Sequence, residues 1–209
     1  SINKNKEYLL NSIKQNKTFY TKAVSPNFEL KYDSSIEEVE EKLKKLVRYS
    51  EPDPKKTTLF IWPEGVFTGF NYNEIAQFSK LIKDKFKENH FILFGINTFN
   101  KSTGEHFNSL VIVNNNFELQ HQYNKKKLVP FGEFLPFENF LKKFCLKKIT
   151  LGYGSFSKGQ IQKNIVINYL SILPLICYEV IFPELIQNSD DKTNLIVNIS
   201  EDGWFGNSI

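Results

Sequence analysis

Cys177 ends an apolar run, Ile172-Leu173-Pro174-Leu175-Ile176, and is followed by Tyr178-Glu179 and then by a helix signal at Phe182-Pro183-Glu184. A thiol at such a junction stands above a sheet end, close to helix N–H groups that lower a thiol pKa and can hold an oxyanion. The ordinary reading of a lone Cys is a small core residue. Glu179 argues against it, because a carboxylate two residues from the thiol, at the end of an apolar strand, is costly to bury without a purpose. Glu64 stands in the same situation, after Leu59-Phe60-Ile61-Trp62 and within Pro63-Glu64-Gly65. A strand-end carboxylate beside an apolar wall has a raised pKa and makes a general base, although taken alone it reads more simply as a solvated turn residue. Lys125 opens the run Lys125-Lys126-Lys127 behind a strand ending at Tyr123, and spacing does not say which lysine turns inward. His90, His106 and His121 are dispersed and none is near Cys177 in the chain, which leaves Glu64 as the best-placed base, ahead of a Cys-His dyad assembled in space.

Residues 18–24 read as a β-strand closed by Ser25-Pro26-Asn27. Ser35 and Glu38 have the capping-box spacing, and Ile36, Val39, Leu43, Leu46 and Val47 follow on one helical face until Glu51-Pro52-Asp53-Pro54. A strand over 57–62, an amphipathic helix through Ile75, Phe78, Leu81, Ile82 and Phe86, and a buried strand over 91–96 come next. The runs 110–113 and 117–123 flank Asn114-Asn115-Asn116 as a hairpin. Residues 137–148 have the pattern of a basic amphipathic helix, 161–169 and 171–176 form a second hairpin, and 195–199 is a last strand. From the residues alone, this order predicts a mixed α/β sheet with helices on one face.

The chain has 209 residues, 41% hydrophobic and 15% aromatic, which supports one globular domain with a modest extension. Its 27 basic and 23 acidic residues give a net charge of +4, too small and too dispersed for a nucleic-acid binder. Two cysteines cannot make a disulfide framework, and no Cys or His spacing fits a zinc site, so no zinc is expected. No apolar run is long enough to span a membrane.

Taken together, the runs are more specific than any one residue. Trp62-Pro63-Glu64, Tyr123-Asn124-Lys125 with Leu128-Val129-Pro130-Phe131-Gly132-Glu133, Ile176-Cys177-Tyr178-Glu179, and Asn198-Ile199-Ser200 with Asp202-Gly203-Trp204-Phe205-Gly206 occur in nitrilase-superfamily order. From about Val24 to Ile209 the chain resembles the apolipoprotein N-acyltransferase branch of that superfamily; the "LVPFGE" and "DGWFG" runs point to the branch. The resemblance implies a nitrilase-like four-layer α-β-β-α sandwich. Residues 1–17 would be an N-terminal extension and 18–209 an incomplete catalytic domain with its C-terminal part missing. It also implies a base at Glu64, a cation at Lys125 and a nucleophile at Cys177, supported by Glu133, Tyr178, Glu179 and Asn108. Tyr32, where the family usually has Trp, would line the lipid side of the pocket. The implied reaction moves an acyl chain from a phospholipid, through a Cys thioester, to the N-terminal diacylglyceryl cysteine of an apolipoprotein, and requires no metal or cofactor. In the intact family protein the domain faces the periplasm from the bacterial inner membrane, held by helices this chain lacks. The alternatives are a soluble carbon–nitrogen hydrolase with the same three residues, or a catalytically silent fragment.

Overall fold

The computed structural model describes residues 18–28, 34–134, 155–160, 163–187 and 192–201. Tyr32, Cys145, the helix expected over 137–148 and the "DGWFG" run lie outside the described residues. Two sheets form where the residues alone predicted one. The first carries β1 (Phe19–Ala23), β2 (Thr57–Ile61), β3 (His90–Asn100), β4 (Glu105–Val113) and β5 (Leu119–Asn124) side by side in chain order. β1, β2 and β3 are parallel, and β3, β4 and β5 are successively antiparallel. The second carries β6 (Ile165–Ile167), β7 (Leu170–Ile176) and β8 (Leu195–Ile199), with β6 antiparallel and β8 parallel to β7.

The division follows from alternation along the strands. On β2, Leu59 packs toward the second sheet and Phe60 toward the helices, both almost fully buried. Leu93, Leu110, Ile112 and Tyr123 join Leu59 against Ile165, Ile167, Ile172, Ile176, Val197 and Ile199 of the second sheet. The outer face of the first sheet, with Phe60, Trp62, Ile92 and Phe94, meets helix α1 (Ile36–Ser50) through Val39, Leu43 and Leu46. Leu173 and Leu175, alternating with Ile172 and Ile176 on β7, are also fully buried, so that strand is covered on both faces as a four-layer arrangement requires.

α1 begins where its cap was expected. Glu38 N donates to Ser35 Oγ at 3.3 Å and Ser35 N donates to Glu38 Oε2 at 2.9 Å; the helix ends at Glu51, whose φ of 44° is left-handed. The helix expected across 75–86 is broken into α2 (Tyr72–Ile75), a 3₁₀ turn (Ala76–Phe78) and α3 (Ser79–Lys83). Ile75, Ile82 and Phe86 are nonetheless buried together, so their spacing records packing on the sheet and not an unbroken helical ladder. β3 runs on to Asn100 and returns as β4 through a turn with Gly104 at φ 73°, a hairpin whose polar tip hid it from hydrophobic patterning.

Candidate active site

The site assembles at strand ends. β5 is parallel to β2 and β3, because two antiparallel pairings intervene, so Glu64 after β2 and Lys125 after β5 leave the first sheet at the same end. Cys177 and Ser200 follow β7 and β8, which are parallel to each other in the second sheet. Ligand and catalytic groups of open α/β sheets collect at the carboxyl ends of strands for this reason. His90 pairs with Thr58 at the opposite end of β2 and is buried there; its Nδ1 accepts from Lys87 N at 3.0 Å, which fixes it as a structural residue.

Trp62, fully buried, holds the entry to the Glu64 turn: its N donates to Leu93 O at 2.8 Å and its Nε1 to Ser50 Oγ at 3.0 Å. Glu64 Oε1 accepts from Asn108 Nδ2 at 3.1 Å, and the same nitrogen donates to Glu133 Oε1 at 2.7 Å. Asn108 thus clamps two carboxylates that would otherwise repel. Lys125, only 2% exposed, donates Nζ to Glu133 Oε1 at 3.0 Å and lies 5.6 Å from the centre of the Tyr178 ring. Its backbone N donates to Asn108 O at 2.8 Å, which ties the lysine to the clamp. The turn over 129–134 presents Glu133, whose Oε2 accepts from Val129 N at 2.9 Å. Lys126 and Lys127 are half-exposed, and Lys127 pairs outward with Glu184 at 2.8 Å. Of the three lysines, only the first turns inward.

Burial raises the Glu64 carboxyl above the ordinary glutamate range; Lys125 and the Asn108 amide pull it back, and the negative charges of Glu133 and Glu201 add to the rise. Its Oε2 is buried and accepts no hydrogen bond from the described residues. Burial pulls the Lys125 ammonium down, but the carboxylates of Glu64 and Glu133 outweigh it, and the net direction is up. Lys125 is therefore a fixed cation.

Cys177 opens a 3₁₀ turn (Cys177–Ile181) with φ at 55°, a left-handed backbone that few non-glycine residues adopt. The lowered thiol pKa expected from a following helix is not found. Burial pushes the thiol up, and so does the Glu64 charge; Lys125, the Ser200 hydroxyl and the Tyr178 N–H only partly oppose them. A short 3₁₀ turn offers little dipole, and the thiol rests protonated, so it needs a base to react.

Glu179 and Tyr178 have a bracing geometry. Glu179 is completely buried and accepts from Tyr123 Oη at 2.9 and 3.0 Å, Lys126 N at 2.8 Å, Lys127 N at 3.0 Å and Ile176 N at 2.9 Å. It joins the loop of Lys125 to the turn of Cys177. Tyr178 Oη donates to Leu128 O at 2.7 Å across the same seam. Glu179→Ala would leave three backbone N–H groups and a hydroxyl without their acceptor, and at about 1–3 kcal/mol for each buried orphan we expect a loss of at least about 3 kcal/mol in chemical denaturation. A loss under about 1 kcal/mol would show that the brace is dispensable.

Three contributors escaped the sequence reading. Ser200 and Glu201 follow β8; Ser200 closes a run recognised only as a pattern, and Glu201 falls between that run and the next. Gly95, in the middle of β3, is the third: a β-carbon there would sit 3.0 Å from Ile199 Cδ1 and 3.1 Å from Glu64 Cα. Gly95→Ala should displace the Glu64 turn while the core persists, and reactions depending on Glu64 should slow by about 10- to 100-fold with little change in melting temperature. Acylation kinetics beside thermal unfolding check this. Among the described residues, no group of three His, Cys, Asp or Glu is arranged to hold a metal ion.

The comparisons agree with the fold. The carbon-nitrogen hydrolase family model matches residues 28–209. A relative from Vibrio parahaemolyticus, called apolipoprotein N-acyltransferase, is 37% identical over 161 residues, covering 72% of this chain and 31% of its own length. One of the same name from Rickettsia prowazekii is 32% identical over 157 residues, again 31% of its length, so the chain spans about a third of these curated relatives. The solved carbon-nitrogen hydrolase from Helicobacter pylori superposes with a TM-score of 0.58 at 16% identity, covering 87% of this chain and 59% of that one, a likeness of fold. A pair of packed sheets with these residues gathered at its strand ends, matched over most of its length by the family model, places the chain in the carbon-nitrogen hydrolase family.

Proposed function

We propose that this chain is the catalytic domain of an N-acyltransferase in which Glu64 is the base, Lys125 the cation and Cys177 the nucleophile. In the first half-reaction the Cys177 S–H proton passes to Glu64 and sulfur bonds to the ester carbonyl carbon of a phospholipid. Lys125 and the Tyr178 N–H hold the oxyanion. The C–O bond breaks, Glu64 returns its proton to the leaving alkoxide, and a lysophospholipid departs from a thioester. In the second, the α-amine of a diacylglyceryl cysteine attacks the thioester carbon, Glu64 takes the amine proton, and the C–S bond breaks to give an amide and the thiol.

What carries the reading is the similarity to relatives named apolipoprotein N-acyltransferase at up to 37% identity, joined to a thiol that rests protonated in the company of a carboxylate of raised proton affinity. The surroundings suit a lipid donor. Phe131, on the loop that presents Glu133, and Val180 and Ile181, on the turn of Cys177, are 45%, 45% and 66% exposed, apolar groups on the two segments that supply the site. The longer protein would hold the domain at the periplasmic face of the inner membrane; among the described residues no helix is long and apolar enough to cross one.

The test is the fate of the thioester. The chain, acylated with p-nitrophenyl butyrate, is offered an S-diacylglyceryl-cysteinyl peptide in detergent, and amide product is weighed against free butyrate. Transfer to the amine in excess of hydrolysis is expected. Release of butyrate alone, at a rate the peptide does not change, points to a hydrolase and contradicts the proposal.

A further inference from the structure

The end of β8 crosses directly over the Glu64 turn. Ile199 presses on Gly95, the Ser200 hydroxyl reaches the Cys177 sulfur, and Glu201 returns to the first sheet at Gly65. Gly65 has a φ of 75°, and a β-carbon on it would overlap Glu201 Oε2 and stand 2.9 Å from Glu201 Cγ and 3.0 Å from Cδ. The space a side chain at position 65 would fill is occupied by a carboxylate from another strand end. Gly65 is needed here twice, for its left-handed backbone and for the seat it leaves.

We propose that Glu201 is a positioning residue for the base: seated against Gly65, it keeps a third carboxylate beside Glu64 and so governs how readily Glu64 holds the proton it takes from Cys177. A base that must return its proton to a leaving alkoxide works best when its proton affinity lies near the operating pH, and a neighbouring negative charge moves a carboxyl in that direction. Among the described residues, the charged and titratable groups around Glu64 are Lys125 from the β5 end, Glu133 from the 129–134 turn, Cys177 from the β7 end and Glu201 from the β8 end. Lys125 and Glu133 are already engaged with each other at 3.0 Å. Glu201 is the negative group that comes from outside that pair.

This inference rests on Glu64 being the base, and the experiment separates the two. Acylation by p-nitrophenyl butyrate is followed from acid to neutral pH in the wild-type chain, Glu201→Gln, Glu201→Asp and Glu64→Gln. Removing the charge in Glu201→Gln should move the acid limb of the rate to lower pH, so that about one pH unit below the wild-type midpoint the variant retains about twofold or more of the fraction of its plateau rate that wild type retains. Plateau rates should stay within a few-fold, and Glu201→Asp should keep the wild-type limb. An acid limb that does not move in Glu201→Gln overturns the proposal, whether or not the plateau falls. If Glu201→Gln does not fold, a Glu201→Asp limb that departs from the wild-type position overturns it instead. An active Glu64→Gln variant would overturn the assignment of the base and this proposal with it, whereas an inactive one beside an unmoved Glu201→Gln limb removes this proposal alone.

Discussion

Glu64→Gln should lower the rate of Cys177 acylation by about 10²- to 10⁴-fold, the range general-base catalysis usually supplies. The amide is nearly isosteric and can still accept from Asn108 Nδ2, which reaches Oε1 at 3.1 Å, so geometry is kept and only the proton acceptor is lost. The same substitution should not destabilise the fold at neutral pH. Burial raises the folded-state pKa of Glu64, so the folded state binds more protons than the unfolded one between the unfolded value, near 4.5, and the higher folded value. Ionisation of Glu64 therefore costs stability as pH rises through that window, and Gln removes the cost. Denaturation at neutral pH should find Glu64→Gln at least as stable as wild type, with any advantage vanishing below about pH 4.5, where both forms are uncharged. An inactive variant that is also clearly destabilised at neutral pH would mean that Glu64 is chiefly structural.

The second large effect falls on Lys125. Lys125→Ala removes the cation that pairs with Glu133 and attracts Glu64, and leaves two half-buried carboxylates held together only by Asn108, a defect of about 1–3 kcal/mol. It also removes the charge proposed to face the oxyanion, worth about 10²- to 10³-fold in rate. Lys126→Ala and Lys127→Ala should be mild in both respects, since their side chains lie partly in solvent and their backbone N–H groups, which bond Glu179, survive the change. Lys125→Met, which retains the stem without the charge, separates packing from electrostatics in the same denaturation and kinetic measurements. A damaging Lys126→Ala beside a silent Lys125→Ala would reverse the assignment.

Much of this arrangement could be read from the chain because the information is local. The capping box at Ser35 and Glu38, the apolar runs of β2 and β7, and the breakers after Trp62 and Tyr123 each act within a few residues. Division into two sheets could not be read, since the second-sheet residues that Leu59 faces, Ile165 to Ile199, lie over a hundred residues away in the chain. The choice within the lysine run came only by resemblance, and the physical reason is tertiary. Register between β4 and β5 sets Ser109 opposite Asn124 and brings Asn108 O to Lys125 N, which aims the next side chain inward at Glu133. Cys177 stands at the strand-end junction that the sequence predicts, but its proton affinity is raised and not lowered, because burial first and then the Glu64 charge, from the turn after β2, push it up and the helix expected to lower it is a 3₁₀ turn. Gly65, Gly95 and Glu201 carry no local signal at all. A missing β-carbon reveals its purpose only when the strand that fills its place is known.

The central claim is a thioester on Cys177, and it is tested most directly by incubating the chain with p-nitrophenyl butyrate and mapping the acyl group by mass spectrometry. The account predicts one butyryl group, on Cys177 and not on Cys145, removed by neutral hydroxylamine and missing from the Glu64→Gln variant. Butyryl found on Cys145 in the folded chain, or a hydroxylamine-stable adduct on lysine with Cys177 unmodified, would contradict it.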